Sequence, residues 1–134
     1  MNIMLIKLVD VKNYSDWRKL VIKKLMLSDK LSADLLVQLQ ERDRLGSIQV
    51  DEHVIMPHVV SNKLPKSWLI ISQVDRPIKY GTSNDITTGI YIFSRPKDSS
   101  ISSSVDCLAD ESVMKALQNP KLSYQQLMDL LRVG

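Results

Sequence analysis

The chain has little with which to build the commoner kinds of functional site. Its 134 residues include one cysteine, Cys107, and two histidines, His53 and His58. One thiol cannot close an intramolecular disulfide, and with two imidazoles it falls short of the four ligands of a structural zinc site. A chain without disulfides fits a reducing compartment, so a cytoplasmic location is expected. Only four glycines are present, and neither G-x-x-x-x-G-K-[ST] nor G-x-G-x-x-G occurs, so a self-sufficient nucleotide site is not expected. H-E-x-x-H and G-x-S-x-G are absent too, which sets aside the zinc-protease helix and the serine nucleophile elbow. No cofactor and no metal is expected. Basic residues are scattered, with Lys23-Lys24 the densest pair, and aromatics make up 5% of the chain. No basic stripe interleaved with aromatics exists, so no direct contact with nucleic acid is expected. Long apolar runs are missing as well. The opening MNIMLIKLVD is broken by Lys7 and is too short for a secretory leader or a membrane span, so no membrane insertion is expected.

What is present is ordinary globular composition, 44% hydrophobic and 25% charged, with a formal net charge of +3. That length and balance predict one domain over residues 1–134 with an aliphatic core. The mild positive balance favours an acidic protein or a phosphate as partner.

Residues 3–9 read as an apolar, strand-like lead-in. Asn13 or Ser15 can cap a first helix that carries Trp17, Leu20, Val21 and Leu25 at helical spacing. Ser28-Asp29-Lys30 breaks it, and Ser32 can cap a second helix with Leu35, Leu36 and Leu39 inward, stopped at Gly46. The pattern then turns extended. Val54-Ile55-Met56 is a short apolar run that ends at Pro57-His58, and WLIISQV (Trp68 to Val74) and GIYIF (Gly89 to Phe93) are near-continuous apolar runs. Strands of that kind are covered on both faces, which points to a layered α/β domain. Arg76-Pro77 interrupts, and Ile78 to Tyr80 reads as a short edge strand. Lys97 to Ser104, KDSSISSS, reads as a polar, mobile patch. Val105, Leu108, Val113, Met114 and Leu117 carry helical spacing, with Asp110-Glu111 as a kink or break. Ser123 can cap a last helix holding Leu127, Leu130 and Leu131.

Both histidines lie in one stretch, ERDRLGSIQVDEHVIMPHVV (Glu41 to Val60). His58 stands after a proline at a strand end, with arginines on the approach. A neutral imidazole there offers a nitrogen lone pair to a phosphoryl group. Phosphoryl transfer needs in-line placement and positive partners for the equatorial oxygens. Arg42 can supply a planar fork, and the Gly46-Ser47 backbone can add N–H groups. With no nucleotide site, the donor would be another phosphoprotein. The alternative for His58 is a strand-end histidine that caps a carbonyl, and for Arg42 a cation that favours the C-terminal end of its helix. His53 reads as a loop histidine, Trp17 and Trp68 as core, and Cys107 as structural.

The stretch resembles the active-site signature of enzyme IIA components of the bacterial phosphotransferase system, of the fructose/mannitol/nitrogen type. That signature runs approximately R-E-x-x-G-S-T-G-I-G-N-G-[IV]-A-[IV]-P-H. Arg42, Asp43, Gly46, Ser47, Val50, Val54, Met56, Pro57 and His58 fall on corresponding positions without a gap. Gln49, Asp51 and His53 stand at its glycine or small positions, and Ile55 at its small residue before the strand end. The family's second histidine, in an H-L-x-x-L context, has no counterpart, since no histidine follows His58. The resemblance implies a mixed β-sheet with helices on both faces. It also implies phosphate accepted on His58 from the phosphocarrier HPr, with Arg42 and Ser47 binding the phosphoryl group, and delivery to an enzyme IIB. The same features suit an enzyme IIA-like domain of a sugar-responsive regulator or antiterminator, in which phosphorylated His58 is a signal.

Overall fold

The computed structural model describes residues 2–132. The core is a six-stranded mixed sheet sandwiched between two groups of helices. In chain order the elements are β1 (Asn2–Leu8), α1 (Tyr14–Lys24), α2 (Asp29–Leu45), β2 (Gln49–Asp51), β3 (Val54–Ile55), β4 (His58–Val60), β5 (Trp68–Tyr80), β6 (Ser83–Ser94), α3 (Ser100–Cys107), α4 (Glu111–Ala116) and α5 (Tyr124–Arg132). β5 and β6 form a long antiparallel hairpin at the centre. β1 runs parallel to β5, and β3 and β4 lie one after the other, parallel to β6. β2 closes the sheet antiparallel to β3.

The near-continuous apolar runs are buried on both faces, as their composition demands. Alternation along β5 and β6 splits them into two cores. Ile70, Tyr91 and Phe93 meet Trp17, Leu35 and Leu39 of the first two helices. Leu69, Ile71, Ile90 and Ile92 meet Ile101, Leu108, Leu117 and Leu127 of the last three. Trp17 is fully buried, and its indole N–H donates to Ser72 Oγ at 2.9 Å. Gly89 makes room for it: a Cβ there would lie 2.6 Å from the Tyr91 ring and 3.0 Å from the Trp17 ring.

Several boundaries differ from the sequence expectation, each for a local reason. Asn13 caps α1 as expected, its Oδ1 accepting the Asp16 N–H at 2.8 Å. The cap of α2 is Ser28, whose Oγ accepts the Leu31 N–H, so Ser32 lies inside the helix. Both serines fit the capping rule, and the earlier one wins because the turn after Leu27 leaves its N–H groups to be satisfied first. Ile78 to Tyr80 is not a separate edge strand. β5 continues through Arg76-Pro77 by a register shift, and Ile78 pairs with Ile86 of the hairpin. The expected mobile patch is also corrected. Lys97 to Ser99 precede a helix, and Ser100 to Ser104 form its first turns with Ile101 and Ser104 buried. Ile101 docking on the second core outweighs the weak helix preference of serine. Asp110-Glu111 is a full break, with Asp110 capping α4 through the Ser112 N–H. Ser123 and Gln126 exchange bonds at the start of α5, a reciprocal capping box.

Candidate functional site

α2 delivers two adjacent charged side chains to opposite destinations. Asp43 turns toward α1, where Arg18 Nη1 lies 2.6 Å from its Oδ2 and the Tyr14 hydroxyl donates to its Oδ1 at 3.2 Å. Both partners of that ion pair are largely shielded from solvent, with side chains 10% and 19% exposed. Burial and the neighbouring carboxylate push the Tyr14 phenol far above its ordinary range. The Arg18 guanidinium also lies 4.7 Å from the Tyr14 ring centroid. This clamp fixes the end of α2. Arg42, one residue back, points the other way, into a surface cleft, and its Nη1 makes a long 3.4 Å bond to the Gly46 carbonyl.

Gly46 ends α2 with φ of 152°, a backbone state that L side chains rarely adopt. The segment that follows is strapped in place. The Ile48 N–H donates to Tyr80 Oη at 3.0 Å, and the Ile48 carbonyl accepts from the Met56 N–H at 2.8 Å. Ser47 Oγ accepts the Gln49 N–H at 3.1 Å and keeps its own hydrogen free to donate.

His58 does not end a strand; it opens β4, after the break that Met56-Pro57 makes between β3 and β4. Pro57 provides no N–H for a ladder, so β3 cannot continue through it. In β4 His58 stands opposite Ile92 of β6 and shares its face of the sheet, whereas Val59 enters the other core. His58 is exposed, and its Nε2 lies 3.1 Å from the Oγ of buried Ser94. Partial burial of the ring, and then the Arg42 charge, hold its pKa below the ordinary 6.5. Both effects favour the neutral imidazole, which has a lone pair to offer.

The cleft encloses about 470 Å³, and Arg42, Ser47 and His58 line it together. Met56, Ile92 and Ile101 supply apolar wall, and Ser102 and Asp106 of α3 close the far side. The geometry can place an anionic group between a neutral imidazole, a guanidinium and two hydroxyls. Asp106 opposes that charge from across the cleft. Ser94, Ser102 and Asp106 were not identified from sequence. Ser94 prolongs the alternation of Ile90 and Ile92, which puts it on the histidine's face, but the pairing of β4 with β6 has no sequence signature.

His53 sits elsewhere, in the turn between β2 and β3. Its Nδ1 lies 2.9 Å from the Asp85 carbonyl and its Nε2 3.9 Å from Glu52. The hydrogen bond to that carbonyl, aided by the nearby carboxylates, raises its pKa above 6.5. It faces an adjoining cleft of about 820 Å³ shared with Asp51, Asp106 and Glu111. Trp68 and Cys107 are buried in the core. No helix among the described residues is long and apolar enough to cross a membrane.

No protein-family model matches the chain. No curated protein sequence matches it either. Solved structures do. The nitrogen regulatory protein IIA-Ntr from Neisseria meningitidis superposes with a TM-score of 0.70 at 14% identity, over 96% of this chain and 92% of that one. The IIA mannitol protein from Escherichia coli gives 0.69 at 17% identity, over 96% and 94%. A complex of enzyme IIA-mannitol with phosphorylated enzyme IIB-mannitol, also from Escherichia coli, gives 0.70 at 16% identity, over 98% and 94%. The chain has the mixed-sheet fold of phosphotransferase-system enzyme IIA proteins.

Proposed function

We propose that this chain is an enzyme IIA-type phosphoryl-carrier domain spanning residues 1–134, phosphorylated on His58. The observation that carries the reading is the convergence of Arg42, Ser47 and His58 in one cleft. These are residues of the stretch that resembles the enzyme IIA signature, on a backbone with the enzyme IIA fold. The donor is the phosphoprotein HPr and the acceptor an enzyme IIB. A neighbour with this fold is seen in complex with its phosphorylated IIB, which supports such a partner here. Both exchanges belong to the cytoplasm.

The chemistry follows from the site. The neutral imidazole attacks phosphorus while Arg42 and the Ser47 hydroxyl hold the equatorial oxygens. The nitrogen–phosphorus bond to His58 forms as the donor's bond to phosphorus breaks, and the donor keeps that electron pair. Little more than placement and charge is required of the protein. A cleft open to solvent suits a carrier that must meet two proteins in turn.

A second reading is favoured by one specific observation, the lack of any histidine after His58. In it the domain belongs to a sugar-responsive regulator and phosphorylated His58 acts as the signal. Incubation with phosphoenolpyruvate, enzyme I and HPr tests both. Acid-labile phosphate on the wild type that His58→Ala lacks is expected, and equal labelling of the two sinks both readings. Onward transfer to a IIB domain then separates carrier from signal.

A further inference from the structure

The Ser94 hydroxyl has one hydrogen-bond partner among the described residues, Nε2 of His58 at 3.1 Å. Ser94 is the last residue of β6 and is 5% exposed. The register explains the meeting. His58 stands opposite Ile92 and Val60 opposite Ser94, so all four side chains share one face of the sheet. The imidazole has only to lean one strand step to reach the hydroxyl.

A buried hydroxyl must place its hydrogen as well as its lone pairs. Were Nε2 protonated, it would donate to Ser94 Oγ, and the serine hydrogen would be left buried without an acceptor. That arrangement costs the desolvation of a polar group. In the other tautomer the hydroxyl donates to the Nε2 lone pair, and the ring proton resides on Nδ1. Every buried polar atom of the pair is then satisfied. The charged groups around the ring are Arg42 from α2 and Asp106 from α3 in the cleft, with Arg95, Lys97 and Asp98 in the groove on the far side of Ser94. None of them makes a hydrogen bond to the ring.

We propose that Ser94 is a positioning residue for His58: its hydroxyl donates to Nε2, selects the Nδ1–H tautomer and holds the reactive lone pair under a removable cap. The proposal rests on the phosphoryl-carrier reading and adds to it the group that orients the accepting ring and sets its tautomer. At 3.1 Å the oxygen occupies the space an arriving phosphorus needs. The hydroxyl must therefore leave Nε2 before transfer, which makes the bond a contact of the resting, unphosphorylated ring. Capping also shields the lone pair from water and stray protons between transfers.

Long-range ¹H–¹⁵N spectra of the full chain, taken without any phosphoryl donor above the titration of His58, test the tautomer. Histidine in water favours Nε2–H, so a dominant Nδ1–H signature at His58 is the expected result. Ser94→Ala is expected to return the ring toward the solution mixture and to slow phosphorylation about tenfold, the value of one hydrogen bond. Ser94→Thr, which retains the hydroxyl, is expected to restore both. A dominant Nε2–H form in the wild type overturns the proposal, and so does a tautomer unchanged in folded Ser94→Ala. The wild-type spectrum decides even if the alanine variant fails to fold. Because the tautomer is read without phosphate, a capped but never phosphorylated His58 would overturn the carrier function and leave the Ser94–His58 coupling standing.

Discussion

The two histidines lie close in sequence and are placed in opposite electrostatic settings. His58 opens a strand over an apolar wall, beside a guanidinium and under a serine hydroxyl. His53 occupies an exposed turn, bonded to a backbone carbonyl among carboxylates. One environment expels a ring proton and the other retains it. The lesson is that an imidazole acquires its chemistry from the groups that face it. Chain neighbours act on one ring only, since Glu52 and Asp51 help to raise the pKa of His53 while His58 answers to burial and to Arg42.

The strongest way to break this contrast is to delete each ring. His58→Gln should abolish acid-labile phosphate, whereas His53→Gln should label within about twofold of wild type, as a surface turn away from the reacting atoms implies. Equal losses in the two variants would dissolve the distinction. Next in size is the clamp on the end of α2. Asp43→Ala strands the Arg18 guanidinium in a shielded site and should cost about 3 kcal/mol of stability in urea unfolding. Loss below about 1 kcal/mol would mean that the pair behaves like a surface ion pair. Arg42→Gln removes the cleft's cation without touching that clamp. Phosphorylation should slow by ~10–100-fold, the value of a charge-assisted hydrogen bond, with stability near wild type. A change in stability with normal labelling would assign Arg42 to its helix end.

The smallest effect is the sharpest comparison, the titration of the two rings by NMR. His58 should titrate below pH 6.5 and His53 above it. The linkage signs are opposite. The depressed pKa of His58 favours the folded state above pH 6.5, and that contribution fades as pH falls through its lower folded value. The raised pKa of His53 favours the folded state below pH 6.5, and its contribution fades as pH rises through the higher folded value. Replacing Arg42 should bring the His58 titration upward and leave that of His53 in place. Coincident titrations would refute the assigned environments.

Much of this architecture was legible before the fold was known, for reasons that can be stated. The buried runs 68–74 and 89–93 announce central strands because no other element needs so many consecutive β-branched apolar residues. Asn13 and Ser123 act as helix signals through bonds within a few residues of themselves, and Gly46 through a backbone state that L side chains rarely adopt. Errors arose where a distant contact overruled local chemistry. Ser100 to Ser104 is helical because Ile101 finds the second core, and β5 continues past Pro77 because β6 lies beside it. Arg42, Ser47 and His58 are expected together from their stretch and its resemblance to the enzyme IIA signature, and they do line one cleft. Ser94 and Asp106 could not be expected there, since they approach from β6 and α3.

The sequence by itself determined the alternation that puts His58, Ile92 and Ser94 on one side of their strands, and the Gly46 stop that ends α2 one turn beyond Arg42. Those outcomes depend on backbone periodicity and on short-range sterics, which operate within a few residues. Only the tertiary structure decided that β4 lies against β6, that Asp43 is held inward by Arg18, and that a serine hydroxyl meets Nε2. Each of those depends on segments between 25 and 36 residues apart in the chain. Their pairing is set by which faces can be buried together, a condition on the whole packed sheet.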